Sequence, residues 1–292
     1  MSEKITLSEK ITLSVLTWKS PETLRFCLES IKPIFDLFDE RLIVCQEADA
    51  REIAIAEEFG FQIFAPEENL GIQGGMKMCF EKARNELVFF CENDLHLNLP
   101  IEQASQIFAY AARAMCEQQI RCTYLRYLPQ SADRRVAGFD KYWRISDGRL
   151  LRRWQAFLRP KAARFALGKG SYFIHQSGIE TEYFKRPNEH FLLTDSRCHP
   201  HENRALLSTR SHLVELIEFA EDHPTKRTIN GSPDLEHPIN CSQNRDWFIK
   251  REFPILIACP GVFGHRRYDR DPTDEKWLMV NPLDEGGVVI AS

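Results

Sequence analysis

The sequence predicts an α/β fold in which a sheet, parallel through its first half, is flanked by helices. Three observations carry that prediction. Short apolar runs alternate with segments of helical periodicity from residue 11 to residue 128. Each run is rich in β-branched or aromatic residues and ends in turn-forming ones, as strands do. No run approaches the roughly 18 apolar residues of a membrane-spanning helix. Such alternation implies βαβ units, whose ligands gather at the carboxyl ends of the strands.

The elements follow in order. The hexapeptide SEKITL occurs at 2–7 and again at 8–13, and only the second copy flows into a longer apolar run, Ile11 to Trp18, the first strand. Pro21 to Ile31 places Leu24, Leu28 and Ile31 at helical spacing, with Ser20 as the cap and proline at the first helical position. Arg41 to Cys45 reads as a strand, 50–59 as a helix, Phe61 to Phe64 as a strand and 73–84 as a helix. Leu87 to Cys91 is the next strand, Ile101 to Glu117 a helix, and Arg121 to Leu128 a returning strand. Further on, His190 to Thr194 and Ile255 to Cys259 read as strands, and Ser211 to Ala220 as a helix begun near Ser208 or Thr209. Prolines 224, 233 and 238 with Gly231 make 222–240 an irregular loop; Asp246 to Lys250 is helical.

Composition excludes several classes. With 292 residues, 43% of them hydrophobic, the chain can bury a sizeable core. Its net charge of −4 gives no sign of nucleic acid, and no nucleic-acid module is legible. Nine cysteines, an odd number without a CxxC pair, read as buried thiols of a reducing compartment. The opening MSEKITLSEK lacks an apolar signal core, so the expectation is a cytoplasmic protein, at most peripheral at the inner face of the membrane. One segment departs from the average: residues 134–169 hold 11 Lys and Arg against two Asp, with Trp143, Trp154 and Phe157 interleaved. A block of one sign with aromatics suits an anionic acceptor or an acidic membrane leaflet, though a solvated face has the same composition.

The chemistry concentrates at FFCENDLHL, where a buried-type strand stops on Glu92, Asn93 and Asp94. Acid-x-acid spacing is cheap, recurring at Glu47/Asp49, Glu180/Glu182, Asp234/Glu236 and Asp269/Asp271. At a strand's carboxyl end, however, carboxylates can hold a hard divalent cation that neutralises a diphosphate. Upstream stands Glu68-Asn-Leu-Gly-Ile-Gln-Gly-Gly75, whose Gly71, Gly74 and Gly75 allow close approach of backbone to ligand at a helix N-terminus. It lacks the GK[ST] of a Walker loop, and Thr17-Trp-Lys-Ser-Pro21 after the first strand lacks the glycines of a dinucleotide fingerprint. Cys198, His199 and His201 lack a second pair at metal spacing, so zinc is disfavoured in favour of an acceptor-side loop.

Taken together, ITLSVLTWKSPETLRFCLESI, RLIVCQEAD and ENLGIQGGMKMCFEKARNELVFFCENDLHL resemble the nucleotide-binding half of a GT-A-fold glycosyltransferase, similar to family 2, over residues 11–97. Two positions depart from that pattern: Glu92 replaces the first Asp of DxD, and the asparagine usual after the glycines is replaced near Lys77. The resemblance implies a Rossmann-like mixed sheet flanked by helices, with a nucleotide-sugar half at 8–128, a basic insert at 129–188, an acceptor half at 189–270 and a tail at 271–292. It implies Asp94 as metal ligand for Mn²⁺ or Mg²⁺ and Glu92 near the ribose or metal. Thr17 would line the nucleotide pocket and Glu47 or Asp49 would lie near the base, with Asn69, Gly71, Gly74, Lys77 and Asn93 completing the nucleotide-sugar site. The segment Phe253 to His265 resembles the family's closing strand, which makes His265 a ligand of metal or diphosphate and sets Arg266 and Arg267 toward the diphosphate.

An inverting transferase also needs a carboxylate that accepts the acceptor hydroxyl's proton. In the family this acid precedes a helix some 20 residues before the histidine. Asp246 fits, 19 residues before His265 and followed by Trp247 for a sugar face, with Glu236 as second choice. A retaining enzyme would need neither. The implied function is transfer from a nucleotide-diphosphate sugar to a saccharide acceptor, anionic or lipid-linked, in bacterial-type surface polysaccharide or glycoconjugate synthesis. The rivals are a sugar nucleotidyltransferase, which wants glycines after the first strand, and a catalytically degenerate protein that binds saccharides or acts as a scaffold.

Overall fold

The computed structural model describes residues 9–126, 139, 141–143, 150–171, 174–175, 178, 180–229 and 231–265. The first SEKITL copy, the tail 271–292, and Arg266 and Arg267 lie outside the described residues. In chain order, β1 (Ile11–Trp18), α1 (Pro21–Ile31), β2 (Glu40–Gln46), α2 (Ala50–Glu58), β3 (Gln62–Phe64), α3 (Gly71–Lys82) and β4 (Leu87–Glu92) form the first block. There follow β5 (Leu95–Leu97), α4 (Ile101–Glu117), β6 (Cys122–Tyr124), α5 (Leu150–Leu158), α6 (Pro160–Lys169), β7 (Lys185–Asn188) and β8 (Phe191–Asp195). The last are β9 (Leu206–Thr209), α7 (Arg210–Asp222), β10 (Thr228–Ile229), β11 (Ser232–Pro233), α8 (Glu236–Asn240), α9 (Arg245–Arg251), β12 (Pro254–Ala258) and β13 (Phe263–His265).

A nine-stranded sheet in the order β3-β2-β1-β4-β9-β6-β12-β8-β7 organises the molecule. The first four strands are mutually parallel, as the strand–helix alternation predicts. From β9 onward the sheet becomes mixed. β9 runs antiparallel to both β4 and β6, β12 is parallel to β6, and β8 is antiparallel to β12. The carboxyl ends of β1, β4, β6 and β12 therefore share one rim with the amino end of β9.

Period-two alternation sorts side chains to the two faces. Ile11, Leu13, Val15, Phe89 and Cys91 join a core with α1 and α4, whereas Leu16, Val44, Val88 and Phe90 join a second core with α3, α7 and α9. Seven of the nine cysteines are buried, and all nine are free thiols. No helix of the described residues is long and apolar enough to cross a membrane.

Several local expectations need correction. Ser20 occupies the N-cap of α1 without a side-chain cap bond, and its backbone N–H donates to Glu52 Oε1 at 3.1 Å. Thr209 does cap α7, accepting from His212 N at 3.2 Å. Helix α3 starts at Gly71, two residues early, since the Asn69 side chain accepts from Gly71 N at 2.8 Å and closes the turn. The segment 222–240 is not wholly irregular, because β10 pairs with β11 and α8 follows. Strands β5, β7, β9 and β13, of three or four residues each, are too short for periodicity to register. The strand expected at 121–128 ends as β6 at Tyr124; Arg126 makes one bridge to Phe263, and 127–128 lie outside the described residues.

Candidate metal and nucleotide site

The carboxyl end of β4 carries Glu92, and a two-residue turn brings the chain through Asn93 and Asp94 into β5. β13 then pairs antiparallel with β5, setting His265 opposite Leu95 and hence beside Asp94. Packing fixes that strand: the Phe263 ring stacks on Phe89 of β4, centroids 4.9 Å apart, and meets Phe108 of α4 edge-on at 5.9 Å. The outcome is a buried contact of 2.8 Å between His265 Nε2 and Asp94 Oδ2. Glu92, Asp94 and His265 each offer one ligand atom within 4.8 Å of the others, a set that suits a hard or borderline divalent ion such as Mn²⁺ or Mg²⁺.

Next to this triad a cavity of about 390 Å³ opens along the ends of β1 and β2, lined by Thr17, Asn69, Gly71, Glu92 and Asn93 among others. A relay of polar groups fixes its floor. Asn93 Nδ2 donates to Thr17 Oγ1 at 2.9 Å, and Thr17 Oγ1 donates to the fully buried Glu52 at 2.8 Å. The same Glu52 oxygen holds Ser20 N, so one carboxylate anchors both ends of the Thr17–Ser20 loop, in which Lys19 takes φ +47°.

The remaining predicted residues have other partners. Glu47, at φ +46°, accepts from Trp18 Nε1 at 2.8 Å and pairs with Lys19 at 3.2 Å, bonds that hold its carboxyl below the usual range. It braces the cavity wall from outside. Asp49 caps α2 through Arg51 N and Glu52 N, at 2.9 and 3.0 Å, and does not face the cavity. Gln46 does line the cavity, with its Oε1 accepting from Leu70 N at 2.8 Å. Lys77 pairs with Glu221 at 2.8 Å and ties α3 to α7.

The glycines serve the chain's own packing more than a ligand's approach. Gly71 has φ +70°, and a Cβ there would stand 2.3 Å from Ser232 Cβ; one at Gly74 would stand 2.8 Å from Leu70 Cβ.

The two candidate bases differ in setting. Asp246 is half-exposed at the start of α9 and bound by Lys161 Nζ at 2.5 and 2.7 Å, which keeps its carboxyl low. Its neighbour Trp247 stacks on Phe219, centroids 3.9 Å apart, so that ring face is taken by the protein. Glu236 opens α8, accepts from Asn203 N at 2.8 Å, and is pushed up by burial. Arg204 connects it to the triad: its charge acts on Glu236, while its Nε stands 3.8 Å from Glu92 Oε2. The loop holding Arg204 reaches this rim because β9, which it leads into, runs against β4.

Arg204, Glu52 and Gln46 escaped the sequence reading. Glu52 follows Asp49 at capping-box spacing, a signal for a helix start only. Arg204 has no local signal, since its place depends on the direction of β9. The group Cys198, His199 and His201 is core: burial pushes the thiol to about 12, His199 stacks on Tyr124 at 4.6 Å, and His201 Nε2 meets Asn203 Oδ1 at 3.0 Å.

No protein-family model and no curated protein sequence matches the chain. Among solved structures it is similar to glucosyl-3-phosphoglycerate synthase from Mycobacterium tuberculosis in complex with Mn²⁺, UDP and glucosyl-3-phosphoglycerate, at 15% identity and a TM-score of 0.48, over 92% of this chain and 75% of that one. The same enzyme with Mg²⁺ and UDP matches at 14% identity and a TM-score of 0.48, over 92% and 74%. A structure described as a mycobacterial protein matches at 16% identity and a TM-score of 0.46, over 89% and 68%.

Proposed function

We propose that this chain is a GT-A-type, metal-dependent glycosyltransferase that moves a sugar from a nucleotide-diphosphate sugar to a saccharide or lipid-linked saccharide acceptor, with inversion at the anomeric carbon. The observation that supports it most is the convergence of Glu92, Asp94 and His265 beside a cavity of about 390 Å³ at the carboxyl rim of the sheet. In this reading the three side chains hold Mn²⁺ or Mg²⁺, which when bound would offset the negative charge of the donor's diphosphate. The nucleoside occupies the cavity, against the loop that Thr17, Asn93 and Glu52 fix. The N-terminus of α3, at Gly71, adds its positive end-potential near the phosphates.

Glu236 is our first choice for the base and Asp246 the second. Burial raises the proton affinity of Glu236, which suits a base, whereas Lys161 already holds Asp246. The acceptor hydroxyl attacks the anomeric carbon, its proton passes to the carboxylate, and the sugar–diphosphate bond breaks on the opposite face. Arg204, whose Nε stands 3.8 Å from Glu92 Oε2, also acts on Glu236 and opposes its rise.

Thermal denaturation with UDP, GDP, dTDP or CMP, each with Mn²⁺ or with EDTA, tests the reading. A ligand at 100-fold over Kd stabilises by about 2.7 kcal/mol. One nucleotide should raise the melting point in a metal-dependent way, and Asp94→Ala should abolish the shift. No shift with any of the four would sink the transferase reading in favour of a saccharide-binding module without turnover.

A further inference from the structure

The face of α5 is an exposed apolar surface that the proposed reaction does not use. Trp154, Phe157 and Leu158 are 62%, 78% and 69% exposed, the three most exposed large hydrophobic side chains among the described residues. They sit at helical spacing on one short helix, Trp154 meeting Phe157 edge-on at 6.3 Å. The exposed Arg159, Pro160 and Lys161 continue the surface into α6. Around them the sequence is strongly cationic, 11 Lys and Arg against two Asp over 134–169 in a chain of net charge −4.

We infer that this face docks the protein on an anionic lipid surface, with Trp154, Phe157 and Leu158 entering the headgroup boundary and the exposed Arg159 beside them, in a cationic stretch of sequence, meeting lipid phosphates. Large aromatics beside Lys and Arg on a helix of high amphipathicity fit that interface physically. A second copy of the chain fits worse. An isologous dimer through this patch would set the same cationic segment against itself. Because no described helix can span a bilayer, the contact is interfacial. It stands independently of the transferase reading.

Cosedimentation of the full chain with lipid vesicles, without nucleotide or metal, tests it. The chain should pellet with vesicles of phosphatidylcholine mixed with phosphatidylglycerol, remain in solution with phosphatidylcholine alone, and dissociate as salt is raised. The variant W154S/F157S/L158S should lower the partition coefficient at least roughly a hundredfold, since each large apolar side chain taken out of water is worth about tenfold or more. Its melting point should not change, because the three side chains are exposed. Arg159→Glu should weaken binding to the anionic vesicles a few-fold and leave the apolar face intact. Absence of binding, equal binding to neutral vesicles, or unchanged binding by the triple variant would each overturn the inference. A concentration-dependent dimer in sedimentation velocity, lost in the triple variant, would overturn it in favour of self-association.

Discussion

Two carboxylates, one in each block of the sheet, are treated in opposite ways. In the parallel block β1–β4, the buried Glu40 is kept charged by close donors. Burial pushes Glu40 up, but Thr12 Oγ1 at 2.6 Å, Arg84 N at 2.8 Å and Arg84 Nε at 2.7 Å outweigh it and leave the carboxyl below its ordinary range. In the mixed block from β6 onward, burial wins at three groups: it lowers His201 to about 4 and His212 to about 3, and raises Glu236. Glu40 in one block keeps its negative charge, Glu236 in the other is pushed toward its neutral form, and the candidate site lies where the blocks meet. A cation needs the first kind of environment and a general base the second.

The largest effect should come from the preserved side. Asp94→Asn keeps shape and removes charge, and turnover should fall by about a thousandfold or more, with loss of the Mn²⁺-dependent nucleotide shift in the melting curve. On the suppressed side, if the proposed reaction is right, Glu236→Gln should lower kcat about a hundredfold or more and erase the acid limb of the pH–rate profile, along which the unmodified chain would lose activity as Glu236 takes up a proton. Asp246→Asn should leave kcat within about threefold; if the two results are exchanged, Asp246 is the base.

Stability should separate the blocks as well. Glu40→Gln breaks a satisfied buried carboxylate and should cost about 2–3 kcal/mol in urea denaturation. The two histidines make the opposite kind of contribution. The folded chain refuses protons that the unfolded chain accepts below its His pKa of 6.5. Their stabilisation is therefore complete above that pH and is lost as pH falls toward 4, by up to about 2 kcal/mol each at pH 5. His212, whose ring nitrogens have no hydrogen-bond partner among the described residues, is the cleaner test, and His212→Leu should flatten that slope. The smallest effect belongs to the exposed pair of Arg25 and Glu58 at 2.8 Å: Arg25→Ala should barely move the urea midpoint, and still less in high salt.

The same division explains what was legible in the sequence. The parallel block is written in local signals, so β1, α1 and α4 have the bounds their apolar spacing predicts. Glu92, Asp94 and His265 were legible as separate elements, a strand ending in acids and a late histidine after an apolar strand. Arg204 was not, since it reaches Glu92 only through the antiparallel path of β9. Glu47 and Asp49 show why acids after a strand are ambiguous: they also serve as loop braces and helix caps, and residue type does not distinguish those uses from facing a cavity. Arg266 and Arg267 fall outside the described residues and keep the standing the sequence gives them.

The position of β9 between β4 and β6 has a bearing on the chain's birth as well as on its site. On a chain leaving the ribosome, β4 is complete at residue 92, yet the strand that satisfies its outer edge begins at residue 206. For more than a hundred residues of synthesis that edge presents unpaired N–H and C=O groups beside an apolar run. A nascent β1–β4 block is thus a natural client for a chaperone, and truncations that stop short of β9 should be recovered from inclusion bodies.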